Sequence, residues 1–263
     1  MNNMLNNIYI NADDYGRSEI ISQKIIECID NGIINSVSVI MGADPSVYKQ
    51  LAKRNIKTKL HVNLTDFPPH KGEGNELLMN MTFIKLLFLR EKNRKVVKKE
   101  IDNQLEEYIK YFGTKSLMID GHQHIQAIPW IYDYLTSIEV GIKEIRLPDE
   151  KFFFVSLKST LNISFLRNLS AFLLLKFLVR FRLKNKLYSP NYSGMLYSGF
   201  YNEKILKTNY LLIKGKEASH EIAFHPGHTE LSEIGQFKPF FYKYYSHKNR
   251  LIEYRLAKNF FLL

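Results

Sequence analysis

Cysteine occurs once among the 263 residues of this sequence, at Cys28. A single thiol excludes an internal disulfide and a thiolate metal cluster, and its setting beside Ile25, Ile26 and Ile29 reads as a buried side chain. The stretch Met1 to Asn7 lacks both the basic start and the apolar core of a secretory signal. With no disulfide framework and no export signal, a cytoplasmic location is expected. Long apolar runs are missing as well: the best, 171–179, is interrupted by Lys176 and is too short to span a bilayer. No repeat of fixed period and no low-complexity linker divides the chain, so one domain over residues 1–263 is expected.

Acidic residues are in deficit. Thirty-seven Lys and Arg against 26 Asp and Glu give a formal net charge of +11. The excess is spread along the chain, with runs only at 92–99 and 176–186, and neither run carries paired zinc ligands or an RNA-binding signature. The charge therefore reads as solvated helix faces, and no nucleic-acid partner is expected. An apolar content of 45% is ordinary for a chain that buries a sizeable core.

What recurs is a short β-branched run followed by a longer helical pattern. Strands are expected at 8–12, 36–41, 57–64, 116–120, 143–147, 194–196 and 220–224. Helices are expected at 18–29, from Asp44-Pro45 onward, at 93–112, 129–138 and 203–212, and after Pro239. Asp44 suits a cap and Pro45 a first turn. Val97, Ile101, Leu105, Tyr108, Ile109 and Phe112 make one stripe that Gly113 closes. Residues 157–183 read as a packed helix, with an amphipathic helix at a membrane surface as the minority reading. About seven β-α units predict an α/β fold of the parallel (β/α) barrel-like kind, a variant of the TIM barrel. A doubly wound open sheet is the competing topology, because periodicity alone does not show closure.

Both architectures place their sites at the C-terminal ends of strands, and the polar residues concentrate there. Asp13 and Asp14 follow the first strand, and His61 and Asn63 share one face of the third. Asp120, His122 and His124 follow the fourth strand, Arg146 ends the fifth, and His225 ends the last. An HxH pair is a moderately specific metal signal. One carboxylate plus two imidazoles around a divalent ion leaves room for water and substrate. A second carboxylate beside the first can take the water's proton, and a histidine from another strand can protonate a departing nitrogen. The residues alone therefore support a metal-dependent hydrolase. An esterase or phosphoesterase at the same site, or a noncatalytic glycan-binding protein, stays open at this point.

The same residues resemble the YdjC-like family, also called the ChbG-type carbohydrate deacetylases. The matching pieces are Asn-Ala-Asp-Asp-Tyr-Gly at 11–16, His-Val-Asn-Leu-Thr at 61–65, Asp-Gly-His-Gln-His at 120–124, Arg-Leu-Pro at 146–148 and His-Pro-Gly at 225–227. The resemblance implies a barrel-like fold and removal of the N-acetyl group from acetylated amino sugars such as chito-oligosaccharides. It implies a divalent ion, usually magnesium, held by Asp14, His61 and His122. Asp13 would be the general base and His225 the acid, with Asn63, Asp120, His124 and Arg146 in support or against substrate. Imidazole ligation suits zinc or manganese at least as well as magnesium. Two positions depart from the family's Asp-Ser-His-x-His-x-His: Gly121 stands for the serine and Gln126 for the last histidine. An acetylated sugar or oligosaccharide is the expected partner, with a homodimer as the default assembly. Residues 152–186 are expected to form a lid or a surface facing substrate or membrane.

Overall fold

A computed structural model describes residues 7–66, 75–114, 117–156, 163–184 and 186–259. Seven strands run parallel: β1 (Ile8–Tyr15), β2 (Ser36–Val39), β3 (Lys57–Val62), β4 (Met118–Gly121), β5 (Glu144–Ile145), β6 (Asn191–Ser193) and β7 (His220–Phe224). Their order in the sheet is β5-β4-β3-β2-β1-β7-β6. That is the cyclic order of a (β/α) barrel opened between β5 and β6, whereas a doubly wound sheet reverses direction part-way. Ile145 N donates to Tyr188 O at 3.2 Å, and Leu147 N to Ser189 Oγ at 2.8 Å. The chain entering β6 therefore lies against β5, although no strand ladder joins those two edges among the described residues. The barrel-like expectation holds.

The helices are α1 (Glu19–Asn31), α2 (Pro45–Ala52), α3 (Asn75–Met79), α4 (Phe83–Leu87), α5 (Glu91–Phe112), α6 (Pro129–Ser137), α7 (Ile163–Phe177), α8 (Glu203–Ile213), α9 (Pro239–Tyr245) and α10 (Lys248–Asn259). Local chemistry sets their ends. Ser18 Oγ accepts from Ile21 N to cap α1, Asp44 caps α2 ahead of Pro45, and Asn202 caps α8. Gly113, at φ 74°, closes α5 in a conformation that side chains resist. Cys28 is buried in α1, and burial pushes its thiol up to about 12. Among the described residues no helix is long and apolar enough to cross a membrane. The short α3 and α4 are not among the elements expected from the sequence, and residues 157–162 and 116 of the expected elements lie outside the described residues.

The concave interior of the sheet is charged. Strand alternation turns Asn11 and Asp13, Ser38, Lys59 and His61, Asp120 and Glu221 inward, and Arg146, just past the end of β5, joins them, all buried. Lys59 Nζ pairs with Glu221 and, at 2.9 Å, with Glu144. Arg146 pairs with Glu221, with Asp13 and with Asp120. Outside the curl, apolar side chains of α1, α2, α5 and α6 pack on the sheet, among them Ile21, Leu51, Ile101 and Tyr132.

Two sequence expectations are corrected. Asp13 and Asp14 lie inside β1 rather than after it. Ala12 pairs with Val37 and Tyr15 with Val39, so two residues on β1 oppose one on β2. This bulge lets neighbouring carboxylates aim at one mouth, which plain alternation forbids. The sixth strand ends at Ser193, before the expected 194–196. There the N–H groups of Gly194, Met195 and Leu196 donate to the buried carboxylate of Glu150 at 3.0, 3.1 and 2.9 Å, so none serves a ladder. Burial pushes Glu150 up to about 7, against the pull of those three amides.

Removing one member of the interior ion network strands its partners in low dielectric. Lys59→Met should lower unfolding free energy by about 3–5 kcal/mol in urea denaturation, and a loss below about 1 kcal/mol would show that Glu221 and Glu144 do not need the ammonium.

Candidate functional site

At the C-terminal ends of β1, β3 and β4, Asp14, His61 and His122 converge. Their ligand atoms all lie within 4.8 Å of one another. Asp14 Oδ1 is 3.4 Å from His61 Nε2 and 3.1 Å from His122 Nδ1. The backbone of Asp14 is left-handed, at φ 74°, which an aspartate adopts only when its surroundings hold it there. Gly16 follows at φ 87°, and a Cβ on it would stand 2.3 Å from the carbonyl oxygen of Ile40. Gln123 and His124 are left-handed too, at φ 55° and 58°, so the chain reverses sharply beyond His122.

Each ring and carboxylate is braced from behind. His61 Nδ1 sits 2.6 Å from Asp120 Oδ1, and the other oxygen of Asp120 meets Ser38 Oγ at 2.6 Å and Arg146 Nη2 at 2.8 Å. A carboxylate on the far nitrogen fixes the tautomer and turns Nε2 toward Asp14. Burial lowers the His61 pKa, but Asp120, Asp14 and Asp13 raise it to about 10. Asp14 Oδ2 and His122 Nε2 are buried without a hydrogen-bond partner. A carboxylate and two imidazoles in one small space, with one carboxylate oxygen and one ring nitrogen left without a partner, fit a divalent cation.

Asp13 is held differently. Arg146 donates Nη1 to its Oδ2 at 2.9 Å and Nη2 to its Oδ1 at 2.8 Å, and Asn11 Nδ2 adds a bond to Oδ1 at 2.6 Å. Burial would raise its pKa, yet Arg146, then His61 and His225, hold it well below the usual carboxylate range. His225 Nε2 faces Asp13 Oδ2 at 3.8 Å and Asp14 Oδ2 at 4.0 Å. Loss of solvent lowers the His225 pKa in spite of those two carboxylates, so its ring is neutral at neutral pH. His124 packs edge-on against Tyr192 in the cleft wall, and burial, then Arg146, pushes it down to about 3.

One expected residue is not brought to the cluster. Asn63 spends its amide on its own loop, donating to Asp66 O at 2.7 Å and accepting from Thr65 N and Asp66 N. Sharing a strand face with His61 does not help it, because β3 ends at Val62. Lys59, Glu221 and Ser38 are not among the residues expected from the sequence, although charged or polar residues at every second place in a β-branched run are a readable sign of a polar interior. The departures at 121 and 126 turn out to be coupled. A Cβ at Gly121 would meet Gln126 Oε1 at 2.8 Å, and Gln126 Nε2 donates to Arg146 O at 2.9 Å.

The site opens into a cleft of about 550 Å³ whose walls include α4, α7 and α9. The expected surface segment 152–186 thus contributes, through α7, a wall of the cleft.

Comparison with known proteins agrees with this architecture. A carbohydrate deacetylase of Danio rerio is 28% identical over 156 residues, 54% of this chain and 50% of that protein. One of Clostridium beijerinckii is 29% identical over 146 residues, 54% of this chain and 58% of its own length. The human carbohydrate deacetylase is 27% identical over 158 residues, 55% of this chain and 49% of its own. The chain thus spans about half the length of the curated relatives it matches. A crystal structure from Enterococcus faecalis V583, of a protein given a provisional role in cellobiose-phosphate cleavage, superposes with a TM-score of 0.62 at 15% identity. The match covers 96% of this chain and 90% of that one, and it speaks for the fold alone. The family model described as YdjC-like protein matches residues 7–258, and this chain belongs to the YdjC-like family.

Proposed function

We propose that this chain is a metal-dependent carbohydrate deacetylase, a hydrolase that removes the N-acetyl group from acetylated amino sugars of the chito-oligosaccharide kind. The observation that carries the reading is the pair of neighbouring aspartates with separate partners, Asp14 among two imidazoles and Asp13 on a guanidinium. The named activity of the similar proteins supports the choice of an acetylated sugar.

Asp14, His61 and His122 would hold the ion. A divalent ion supplies Lewis acidity toward a water molecule and toward the acetyl carbonyl oxygen. The donor set suits zinc or manganese at least as well as magnesium, which prefers oxygen.

Asp13 takes the proton of the attacking water. Its Oδ1 already accepts from Asn11 and Arg146, whereas among the described residues Oδ2 accepts from Arg146 alone, and the side chain lines the cleft. Arg146 keeps Asp13 ionised and makes it unwilling to retain that proton. His225 Nε2, 3.8 Å from Oδ2, is placed to receive it and hand it to the sugar nitrogen as the C–N bond breaks. Acetate and a free amine result. Asp120 positions His61, and Ser38 and Arg146 position Asp120.

Asp13→Asn should lower acetate release from diacetylchitobiose by about a hundredfold or more while divalent-ion binding persists. Unchanged turnover would remove Asp13 from the mechanism. Ion binding should itself depend on pH. With its pKa raised to about 10, His61 carries a proton in the metal-free protein, and the ion must displace it. Affinity measured by titration calorimetry should therefore rise about tenfold per unit between roughly pH 6 and 8, with about one proton released per ion. A flat profile would count against His61 as a ligand.

A further inference from the structure

The cleft offers more apolar wall than a free sugar uses. Away from the carboxylates and imidazoles it is lined by Phe83, Ile84, Leu174, Leu175 and Met195, and Phe241 joins them to the site with its ring 5.1 Å from that of His122. Several polar side chains on the same walls are already committed within the protein. Asn168 Nδ2 donates to Leu196 O and Ser198 O, Ser170 Oγ donates to Arg167 O, and Ser198 Oγ meets Tyr244 OH. A glycan presents hydroxyl groups that need partners, and this part of the cleft has few to give.

The helix that supplies Leu174 and Leu175 also carries an apolar stripe facing outward. On α7 and the turn Leu178–Arg182 after it, Leu166, Leu173, Phe177 and Phe181 are exposed. Spacings of seven and four align the first three on one side of the helix. Phe181 joins them, its ring 5.6 Å from that of Phe177. Residues 163–186 contain no acidic residue but hold Arg167, Lys176, Arg180, Arg182, Lys184 and Lys186, of which Lys176 and Arg180 face Asp149 at 3.8 and 3.4 Å. An apolar stripe edged by cations, on a helix too short and charged to span a bilayer, is the composition of a helix that lies in an anionic headgroup layer. Exposed Ile84 and Phe240, from α4 and α9, extend the apolar rim on the cleft's other walls.

We infer that the substrate of this site is an acetylated amino sugar carried on a lipid, taken at an anionic membrane surface on which α7 rests, with the apolar carrier running along the cleft wall of α7. The inference rests on the deacetylase reading for the acetyl group only; the apolar subsite is read by binding, without turnover.

The test compares the octyl and methyl glycosides of N-acetylglucosamine, below the octyl compound's micelle concentration, by calorimetry on the full chain before any metal is added, so that binding is read without hydrolysis. The octyl glycoside should bind at least about tenfold tighter, because its methylenes leave water. Leu174→Gln should bring the two affinities together. In parallel, vesicles containing phosphatidylglycerol should sediment the protein while phosphatidylcholine vesicles leave it in solution. The surface variant Leu173→Ser/Phe177→Ser, with unchanged circular dichroism, should stay in solution with both. Equal affinities for the two glycosides, or no binding of either, would overturn the apolar subsite. A preference for octyl without vesicle binding would overturn the membrane-borne carrier. Acetate release from the methyl glycoside with equal affinities would keep the deacetylase reading and sink the lipid, so the two fail separately.

Discussion

The guanidinium of Arg146 is the point on which this site hangs. It is fully buried, and it meets Asp13 and Asp120 on the cleft side and Glu221 deeper in the curl. A buried charge of this size is tolerable only when ionised acceptors surround it, and here they gather on the two terminal nitrogens while Nε is left without a partner among the described residues. The consequence runs both ways. The carboxylates hold the arginine in place, and the arginine keeps Asp13 and Asp120 ionised, so the carboxylate that braces His61 and the one proposed as base share one counter-ion. Lys59 extends the network to Glu144 and Glu221. Ordinary barrels of this class fill their centre with branched apolar residues; here the centre is an ion lattice, and the apolar packing is displaced to the helix side of the sheet.

Much of this was legible in the sequence, and the reasons for the rest are specific. The seven strands and the main helices follow from β-branched runs, capping residues and a clean apolar stripe in α5, all of which act over short distances. The barrel order needed the structure, because which edges meet is decided by pairings far apart in sequence. The inner faces of β1, β3, β4 and β5 were readable at Asp13, His61, Asp120 and Arg146, where function-like residues stood out. Lys59 and Glu221 were passed over because a charge in a strand is ordinarily a solvated one. Asn63 stands one residue beyond the strand, where period-two alternation no longer sets the direction of a side chain. Glu150 gave no local signal: its role comes from three backbone amides more than forty residues away.

The bulge in β1 shows how the fold assigns unlike environments to like residues. Asp13 and Asp14 are adjacent and chemically identical, yet one is clamped by a guanidinium and the other faces imidazoles with an oxygen left over. The left-handed backbone at Asp14 is what permits this, and its cost is met by the pairing of β1 with β2 and β7 on either side.

The fit between Gly121 and Gln126 has a bearing on how such a chain can change. A Cβ at 121 would stand 2.8 Å from both Gln126 Oε1 and Ile125 Cγ1, so a side chain there displaces the amide that tethers the carbonyl of Arg146 and its neighbour Ile125 together. Glycine is there for room and not for backbone freedom, as its φ of −157° is ordinary extended backbone. Because the two side chains would share one space, changes at 121 and 126 should be non-additive.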